Sequence, residues 1–161
     1  MSAAERFFFD TNVLIYWLDP AEGRKYESAR RWVTAVWPGS VGRISWQVLN
    51  EFYVNAVRKV RAPAGDVRAM VEAFAQWQPT GFGLGIIQRA WYWADKTGVH
   101  YWDSLIVASA EAAGCAYLLS EDFQTGRKFG DITVVNPFRT GPEEFGLSTT
   151  RRSPGTPLIP R

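Results

Sequence analysis

The chain has 161 residues, of which 47% are hydrophobic and 21% are charged, a composition typical of a single soluble globular domain. No apolar run reaches the ~20 residues needed to cross a bilayer, and residues 1–6 are too polar and short for a signal peptide. The single cysteine, Cys115, excludes an internal disulfide bond and suits a reducing compartment. We therefore expect a cytoplasmic protein without membrane contact.

The formal net charge of +2 is concentrated near the end of the chain. Residues 139–161 contain four arginines and two glutamates, whereas basic and acidic residues balance in residues 1–138. If several acids of residues 1–138 gather around a metal ion, the remaining surface is effectively basic, as binding to a polyanion requires.

Residues 7–9 are three consecutive phenylalanines, a pattern that predicts a short strand buried on both faces and ending at Asp10. Apolar residues resume at helical spacing from Val13 to Leu18, where Asp19-Pro20 ends the predicted helix. In a parallel sheet the carboxyl end of a strand is where ligands bind. A carboxylate at that place, without a following glycine loop, indicates a hard cation and not a dinucleotide.

Strands and helices alternate along the rest of the chain. We predict helices over 26–36, 46–60, 67–77, 86–97 and from Tyr101 to Gly114, and strands over 41–44, 116–119 and 132–135. Ser45 and Asp66 are predicted helix caps, and Gly98 is predicted to close its helix. This alternation predicts an α/β fold with a parallel sheet and right-handed crossovers.

After Phe138 the composition changes to glycine, proline, serine, threonine and arginine. We therefore predict one domain over residues 1–138 and a tail over residues 139–161 that is dispensable for the fold, because its apolar content is too low to bury much surface. The alternative is that the apolar residues of the tail dock onto this or a neighbouring protomer; they are Phe145, Leu147, Leu158 and Ile159.

Four acids occupy comparable positions at element boundaries or on an inward helix face: Asp10, Glu51, Asp103 and Asp122. Taken singly, the three aspartates could be a turn residue, a helix cap and a loop residue, whereas an inward-facing glutamate without a partner is costly. Carboxylates brought within several ångströms of one another repel, and a hard cation such as Mg²⁺ or Mn²⁺ removes that cost. The four together predict a metal site.

Four sequence blocks resemble those of the PIN-domain family, and in particular VapC-type toxins of bacterial toxin–antitoxin pairs. The blocks are Phe9-Asp10-Thr11-Asn12-Val13-Leu14-Ile15, Ser45-Trp46-Gln47-Val48-Leu49-Asn50-Glu51-Phe52, Tyr101-Trp102-Asp103-Ser104-Leu105-Ile106 and Leu118-Leu119-Ser120-Glu121-Asp122. The resemblance implies a three-layer sandwich with a central, mostly parallel sheet flanked by helices. It also implies a metal-dependent ribonuclease whose products carry a 5′-phosphate and a 3′-hydroxyl.

Carried over by position, the resemblance makes Asp10, Glu51, Asp103 and Asp122 the metal-binding and catalytic acids. Thr11, Asn12 and Ser120 match the polar residues around them, with serine at Ser120 where relatives usually have threonine. The adjacent Glu121 competes with Asp122 for the role of fourth acid; we expect Glu121 to point to solvent.

Substrate and partners follow from the same resemblance. Arg127 and Lys128 are candidates for phosphate contacts, or else a solvated pair in a loop. Trp91, Trp93, Tyr101 and Trp102 could stack on unpaired RNA bases, although core or dimer packing is the commoner use of such residues. The arginine-rich tail is expected to add salt-sensitive RNA affinity. A toxin requires a cognate antitoxin protein, and we expect a homodimer.

Two alternatives within the family remain open, a PIN-like RNA-binding module without turnover and a housekeeping RNA-processing nuclease. An Asp-based phosphatase is a third alternative, but such enzymes need an aspartate where this chain has Asn12.

Overall fold

The computed structural model describes residues 4–149. Its centre is a five-stranded sheet with strands Phe7–Phe9 (β1), Gly42–Arg43 (β2), Tyr117–Leu119 (β3), Lys128–Phe129 (β4) and Ile132–Val135 (β5). The strand order is β2-β1-β3-β5-β4, and all pairs are parallel except the edge pair of β4 and β5. The register pairs Phe8 with Leu118 and Leu118 with Val134.

Helices flank this sheet, as predicted. The α-helices are Thr11–Leu18 (α1), Arg24–Val36 (α2), Trp46–Asn55 (α3), Ala64–Phe74 (α4), Leu84–Thr97 (α5) and Tyr101–Ala112 (α6). Short 3₁₀ helices cover Pro20–Glu22, Ala75–Trp77 and Pro142–Phe145, and a π-helical turn covers Ala56–Val60. The predicted α/β sandwich with a mostly parallel central sheet is confirmed. No helix within residues 4–149 is long and apolar enough to cross a membrane.

Aromatic side chains dominate the core. All three phenylalanines of β1 are buried, and Phe9 packs on Trp77 with ring centroids 4.8 Å apart. Five tryptophans are buried and three are exposed; the exposed ones are Trp46, Trp91 and Trp102. Cys115 is also buried, and burial raises the pKa of its thiol to about 12, as expected of a packing residue and not of a reactive thiol.

Local hydrogen bonds decide where the helices begin and end. Ser45 caps α3 as predicted, because its Oγ accepts a hydrogen bond from the Val48 backbone N–H at 3.2 Å. Asp66 does not cap α4, which begins at Ala64 after Pro63. The helix predicted over 46–60 is not continuous, because the α-helix gives way to the π-helical turn at Ala56. This turn ends at Arg61, which has a left-handed backbone conformation with φ 61°. Gly98 closes α5 as predicted, with φ 72°.

The start of the tail packs on the domain. The Phe145 ring lies 5.4 Å from that of Phe7 and 4.7 Å from that of Tyr117. Leu147 packs against the same core, and Arg31 forms an ion pair with Glu143 at 2.8 Å. The prediction that the tail buries little apolar surface is therefore wrong for residues 139–149, because aromatic residues of β1, α2 and β3 form a surface for Phe145.

Residues 150–161, with Leu158 and Ile159, lie outside the described residues. The domain boundary at residue 138 stays a prediction, as does the RNA affinity of the tail.

Candidate active site

Two parallel strands bring the first site residues together. Asp10 follows β1 and Ser120 follows β3, and the backbone N–H of Asp10 donates to the carbonyl of Leu119 at 3.0 Å. Because β1 and β3 are parallel and in register, their carboxyl ends meet at one edge of the sheet. Asp10 and Ser120 therefore lie side by side at this edge.

Asp10 is almost completely buried, with 6% of its surface exposed. One carboxylate oxygen, Oδ1, accepts the Thr11 backbone N–H at 2.8 Å and so caps α1, while Oδ2 accepts the Ser120 hydroxyl at 2.6 Å. The pKa of Asp10 is raised to about 7, mainly by burial; the two hydrogen bonds act to lower it, and the negative charges of Asp122 and Glu51 act to raise it. At neutral pH this carboxylate is therefore poised between its two protonation states.

Glu51 is held from two sides. Its Oε2 accepts the Thr11 hydroxyl at 2.6 Å, and its Oε1 accepts the Gln47 side-chain amide at 2.9 Å. Gln47 lies four residues earlier on α3, at the spacing that places two side chains on one helix face. Sequence reasoning did not identify Gln47, although this i, i+4 spacing to Glu51 was the signal that could have found it.

The other two acids approach from α6 and from the loop after β3. Asp122 accepts the Asn12 side-chain amide at 2.9 Å and donates its own backbone N–H to the Ser120 hydroxyl at 3.1 Å. Asp103 lies in the first turn of α6, and its carboxylate makes no hydrogen bond within residues 4–149. Partial burial raises the pKa of Asp103, and the negative charges of Asp122 and Glu51 add to that effect.

All four acids line one cavity of about 450 Å³, which we call the acidic cavity. Of the residues that the structure describes, six carboxylates and a single basic residue, Lys59, line this cavity. The lining residues within 4–149 are Asp10, Thr11, Asn12, Ile15, Tyr16, Asp19, Glu22, Gln47, Glu51, Asn55, Lys59, Val60, Trp102, Asp103, Ile106 and Asp122. The fold therefore brings the four predicted acids, Thr11 and Asn12 together around one space.

The donor set of the acidic cavity consists of oxygen atoms, which fits Mg²⁺ or Mn²⁺. Two further oxygens, Oδ1 of Asn12 and Oε1 of Gln47, are buried and accept no hydrogen bond within the described residues. Flipping either amide would not satisfy them, because the amide nitrogens already donate to Asp122 and Glu51. Buried oxygens without a donor are costly, and a cation would offset that cost.

The acids share a cavity without forming a closed ligand cluster. Nowhere in residues 4–149 are three or more histidine, cysteine, aspartate or glutamate side chains arranged to hold a metal ion as they stand. The hydrogen bonds from Thr11, Ser120 and Gln47 hold the carboxylates where they are, and like charges oppose their closer approach. The four predicted acids thus line one oxygen-rich cavity, and the metal site itself stays a prediction.

Glu121 does not point to solvent, so that prediction is wrong. It accepts the Tyr16 hydroxyl at 2.6 Å and forms an ion pair with Lys25 at 2.7 Å. The Lys25 ammonium also lies over the Tyr16 ring, 4.8 Å from its centroid. We call Tyr16, Lys25 and Glu121 the rim cluster. It removes Glu121 from the set of unpaired acids, which leaves Asp122 as the fourth acid of the acidic cavity.

Arg127 and Lys128 do not reach the acidic cavity. Arg127 donates to the Thr97 carbonyl at 3.0 Å and lies over the Phe129 ring, and Lys128 belongs to edge strand β4, paired with Thr133. Sequence reasoning placed these two residues in a loop because the two-residue strand gives no periodic signal. A contact of either residue with RNA stays a prediction, at a distance from the acids.

The four candidate aromatic residues have different environments. Trp93 is buried in the core, and Tyr101 packs beside Leu105 and Ala108. Trp91 is exposed on α5, away from the acidic cavity. Trp102 is 58% exposed and lines the cavity, so it is the member of this group placed to meet a ligand there.

The fold and the cavity define an α/β protein with an acidic, oxygen-lined site at the carboxyl edge of a parallel sheet. Residues 7–128 match the family model of the PIN domain, so the chain belongs to the PIN domain family. PIN domains are typically nucleases that act on RNA and generally use divalent metal ions. No curated protein matches the chain.

Proposed function

We propose that this protein is a Mg²⁺-dependent endoribonuclease that hydrolyses RNA phosphodiester bonds, with Mn²⁺ as a possible substitute, and that it is the toxin of a toxin–antitoxin pair. The observation that carries the proposal is that four acids line one cavity: Asp10, Glu51, Asp103 and Asp122. None of the four forms an ion pair with a basic side chain within residues 4–149. Such unpaired carboxylates destabilise the fold, so their presence in one cavity favours a functional use.

In the proposed mechanism the four acids would hold one or two Mg²⁺ ions. When bound, Mg²⁺ supplies a water of lowered pKa and neutralises charge on the scissile phosphate. Thr11 and Gln47 orient the Glu51 carboxylate, and Ser120 orients Asp10. Asn12 lines the same cavity and holds Asp122 through its side-chain amide. These residues keep the carboxylates in fixed positions, so little reorganisation is needed when substrate arrives.

Cleavage of total cellular RNA, followed by mapping of the product ends, tests this proposal. Wild-type protein should cut RNA with Mg²⁺ and lose activity with a chelator, and the products should carry 5′-phosphates. The Asp10→Asn variant keeps the acceptor for the Thr11 N–H that begins α1, so it should fold and should not cut. RNA binding without any cleavage by the wild type would instead support a binding module that lacks turnover.

The toxin role predicts a protein inhibitor, because an unrestrained ribonuclease in the cytoplasm harms its host. Exposed apolar side chains are suited to contacts with an antitoxin or with a second copy of the chain; they include Phe82, Leu84, Trp91 and Trp46. Expression of the wild type alone in its native host should arrest growth, whereas Asp10→Asn should be tolerated. Harmless wild-type expression would favour a housekeeping RNA-processing nuclease. Sedimentation analysis would test the proposed homodimer.

A further inference from the structure

One lysine lies among the six carboxylates of the acidic cavity. Lys59 is exposed, lines the cavity, and forms none of the ion pairs found within residues 4–149. The other lysine near the site, Lys25, is held by Glu121 in the rim cluster. Lys59 is therefore the basic side chain of the described cavity whose charge is available to a ligand.

The backbone that carries Lys59 is unusual. Glu51 and Asn55 belong to α3 and line the cavity, and Lys59 follows at the same spacing of four residues. In a regular α-helix each step of four residues rotates the side chain about 40° past a full turn, so Lys59 would drift away from the line of Glu51. The π-helical turn Ala56–Val60 is wider and rotates each residue less, which brings Lys59 back toward that line.

The turn also ends abruptly just after Lys59. Arg61 has a left-handed backbone conformation, and its N–H donates to the Ala56 carbonyl across the wide turn. A π-helical turn and a non-glycine residue in the left-handed region are both disfavoured, and such features are often found at functional sites. Here the result is that Lys59 and Val60 line the acidic cavity.

We propose that Lys59 binds a phosphate of the RNA strand next to the scissile phosphate. The inference rests on the proposed ribonuclease function and adds a substrate-binding residue to it. In the proposed mechanism the metal held by the acids neutralises the scissile phosphate. The neighbouring phosphates of the strand would be repelled by the acid-lined cavity unless a basic side chain binds them. A lysine ammonium is a flexible donor suited to such a contact, and it carries no sequence information.

The chain offers a matched control. Arg58 lies in the same π-helical turn and is also exposed, but it does not line the cavity. Lys59→Met and Arg58→Met remove the same charge from adjacent positions, so the difference between them reports location and not net charge. Lys59→Arg restores the charge at the cavity.

Binding of a short single-stranded RNA is measured in an Asp10→Asn background, over a range of salt concentrations. Lys59→Met should weaken binding roughly threefold to tenfold and lower the slope of log affinity against log salt by about 0.7, the value for one phosphate contact on a single strand. Arg58→Met should change both quantities much less, and Lys59→Arg should restore binding. In the active background Lys59→Met should raise KM more than it lowers kcat.

Equal effects of Lys59→Met and Arg58→Met would overturn the inference and leave the nuclease proposal intact. A changed melting temperature with unchanged RNA binding would also overturn it, since Lys59 would then act only on the stability of the acid cluster. A fall in kcat alone would place Lys59 at the scissile phosphate and contradict the assignment to a flanking one. If the wild type neither bound nor cut RNA, the proposed function would fail, and this inference with it.

Discussion

Glu121 and Asp122 are adjacent in the chain, yet they lie in opposite electrostatic environments. Glu121 belongs to the rim cluster, where an ammonium and a phenol satisfy both carboxylate oxygens. Asp122 faces the acidic cavity, where the neutral amide of Asn12 is its only side-chain partner among the described residues. The charge of Asp122 raises the pKa values of Asp10 and Asp103. Within residues 4–149, Glu121 is thus paired with a cation, whereas Asp122 is not.

This difference shows which acids are suited to bind a ligand. A carboxylate that already has a cation gains little from a metal ion, whereas unpaired carboxylates that repel one another gain a great deal. Two acidic residues one position apart can therefore have separate uses, and the ion pairs of the surrounding structure distinguish them better than sequence position does.

The largest expected effect is on cleavage. Asp103→Asn should lower RNA cleavage by on the order of 100-fold or more, as loss of one charge-stabilising group commonly does. Glu121→Gln should leave cleavage close to the wild-type rate, because Glu121 is already paired outside the acid set. Single-turnover cleavage with saturating Mg²⁺ checks both variants. An equal loss of cleavage rate in Asp103→Asn and Glu121→Gln would show that the acids of the cavity and of the rim cluster do not differ in function.

The same variants should differ in thermal stability. Removing a charge from the acidic cavity relieves repulsion, so Asp103→Asn should melt at the wild-type temperature or above it when metal is absent. A clear fall in melting temperature would show that Asp103 acts as a structural cap of α6, where it lies in the first turn.

A second effect concerns the pH dependence of stability. The pKa of Asp10 is about 7 in the folded protein against an ordinary value of 3.8, so the folded state binds this proton more tightly than the unfolded state does. This tighter proton binding adds to the free energy of unfolding in full below about pH 4, and the added stability is lost as the pH rises through 7. The raised pKa of Asp103 acts in the same direction.

Metal-free wild type should therefore be more stable at pH 5 than at pH 8. The raised pKa of Asp10 corresponds to a difference on the order of a few kcal/mol in the free energy of unfolding, or roughly 5–10 °C in melting temperature. Asp10→Asn should flatten the profile and be the more stable protein at pH 8, while Glu121→Gln should retain the wild-type profile. Melting scans with a chelator test this, and a wild type that gains stability from pH 5 to pH 8 would contradict the environment assigned to Asp10.

Much of this arrangement was predictable from the sequence. The phenylalanine run, the polar break at Asp10 and the alternation of strands with helices specify a parallel α/β sheet, because buried strands and amphipathic helices have distinct periodicities. Acids that follow parallel strands must lie at one edge of the sheet, so the position of Asp10 and Asp122 at that edge followed from topology alone.

Other features depend on tertiary contacts that no local pattern carries. The pairing of Glu121 with Lys25 joins residues 96 positions apart, and the docking of Phe145 requires an aromatic surface that only the folded sheet and α2 create. The π-helical turn that presents Lys59 interrupts a sequence whose apolar spacing is that of an ordinary helix. In each case contacts with distant parts of the chain, and not local sequence propensity, determine the structure.

The smallest expected effect tests the rim cluster itself. The Lys25–Glu121 pair is partly exposed, with 42% and 21% of the side-chain surfaces accessible, so solvent screens it. Lys25→Met should cost about 0.5–1 kcal/mol, or roughly 1–4 °C in melting temperature. Because Glu121 would then stand unpaired one residue from Asp122, the double variant Lys25→Met/Glu121→Gln should recover part of the loss. A double-mutant cycle measured by chemical denaturation gives this coupling energy. Strictly additive single effects would mean that Lys25 and Glu121 do not interact in solution, and the contrast between a paired rim and an unpaired cavity would lose its basis.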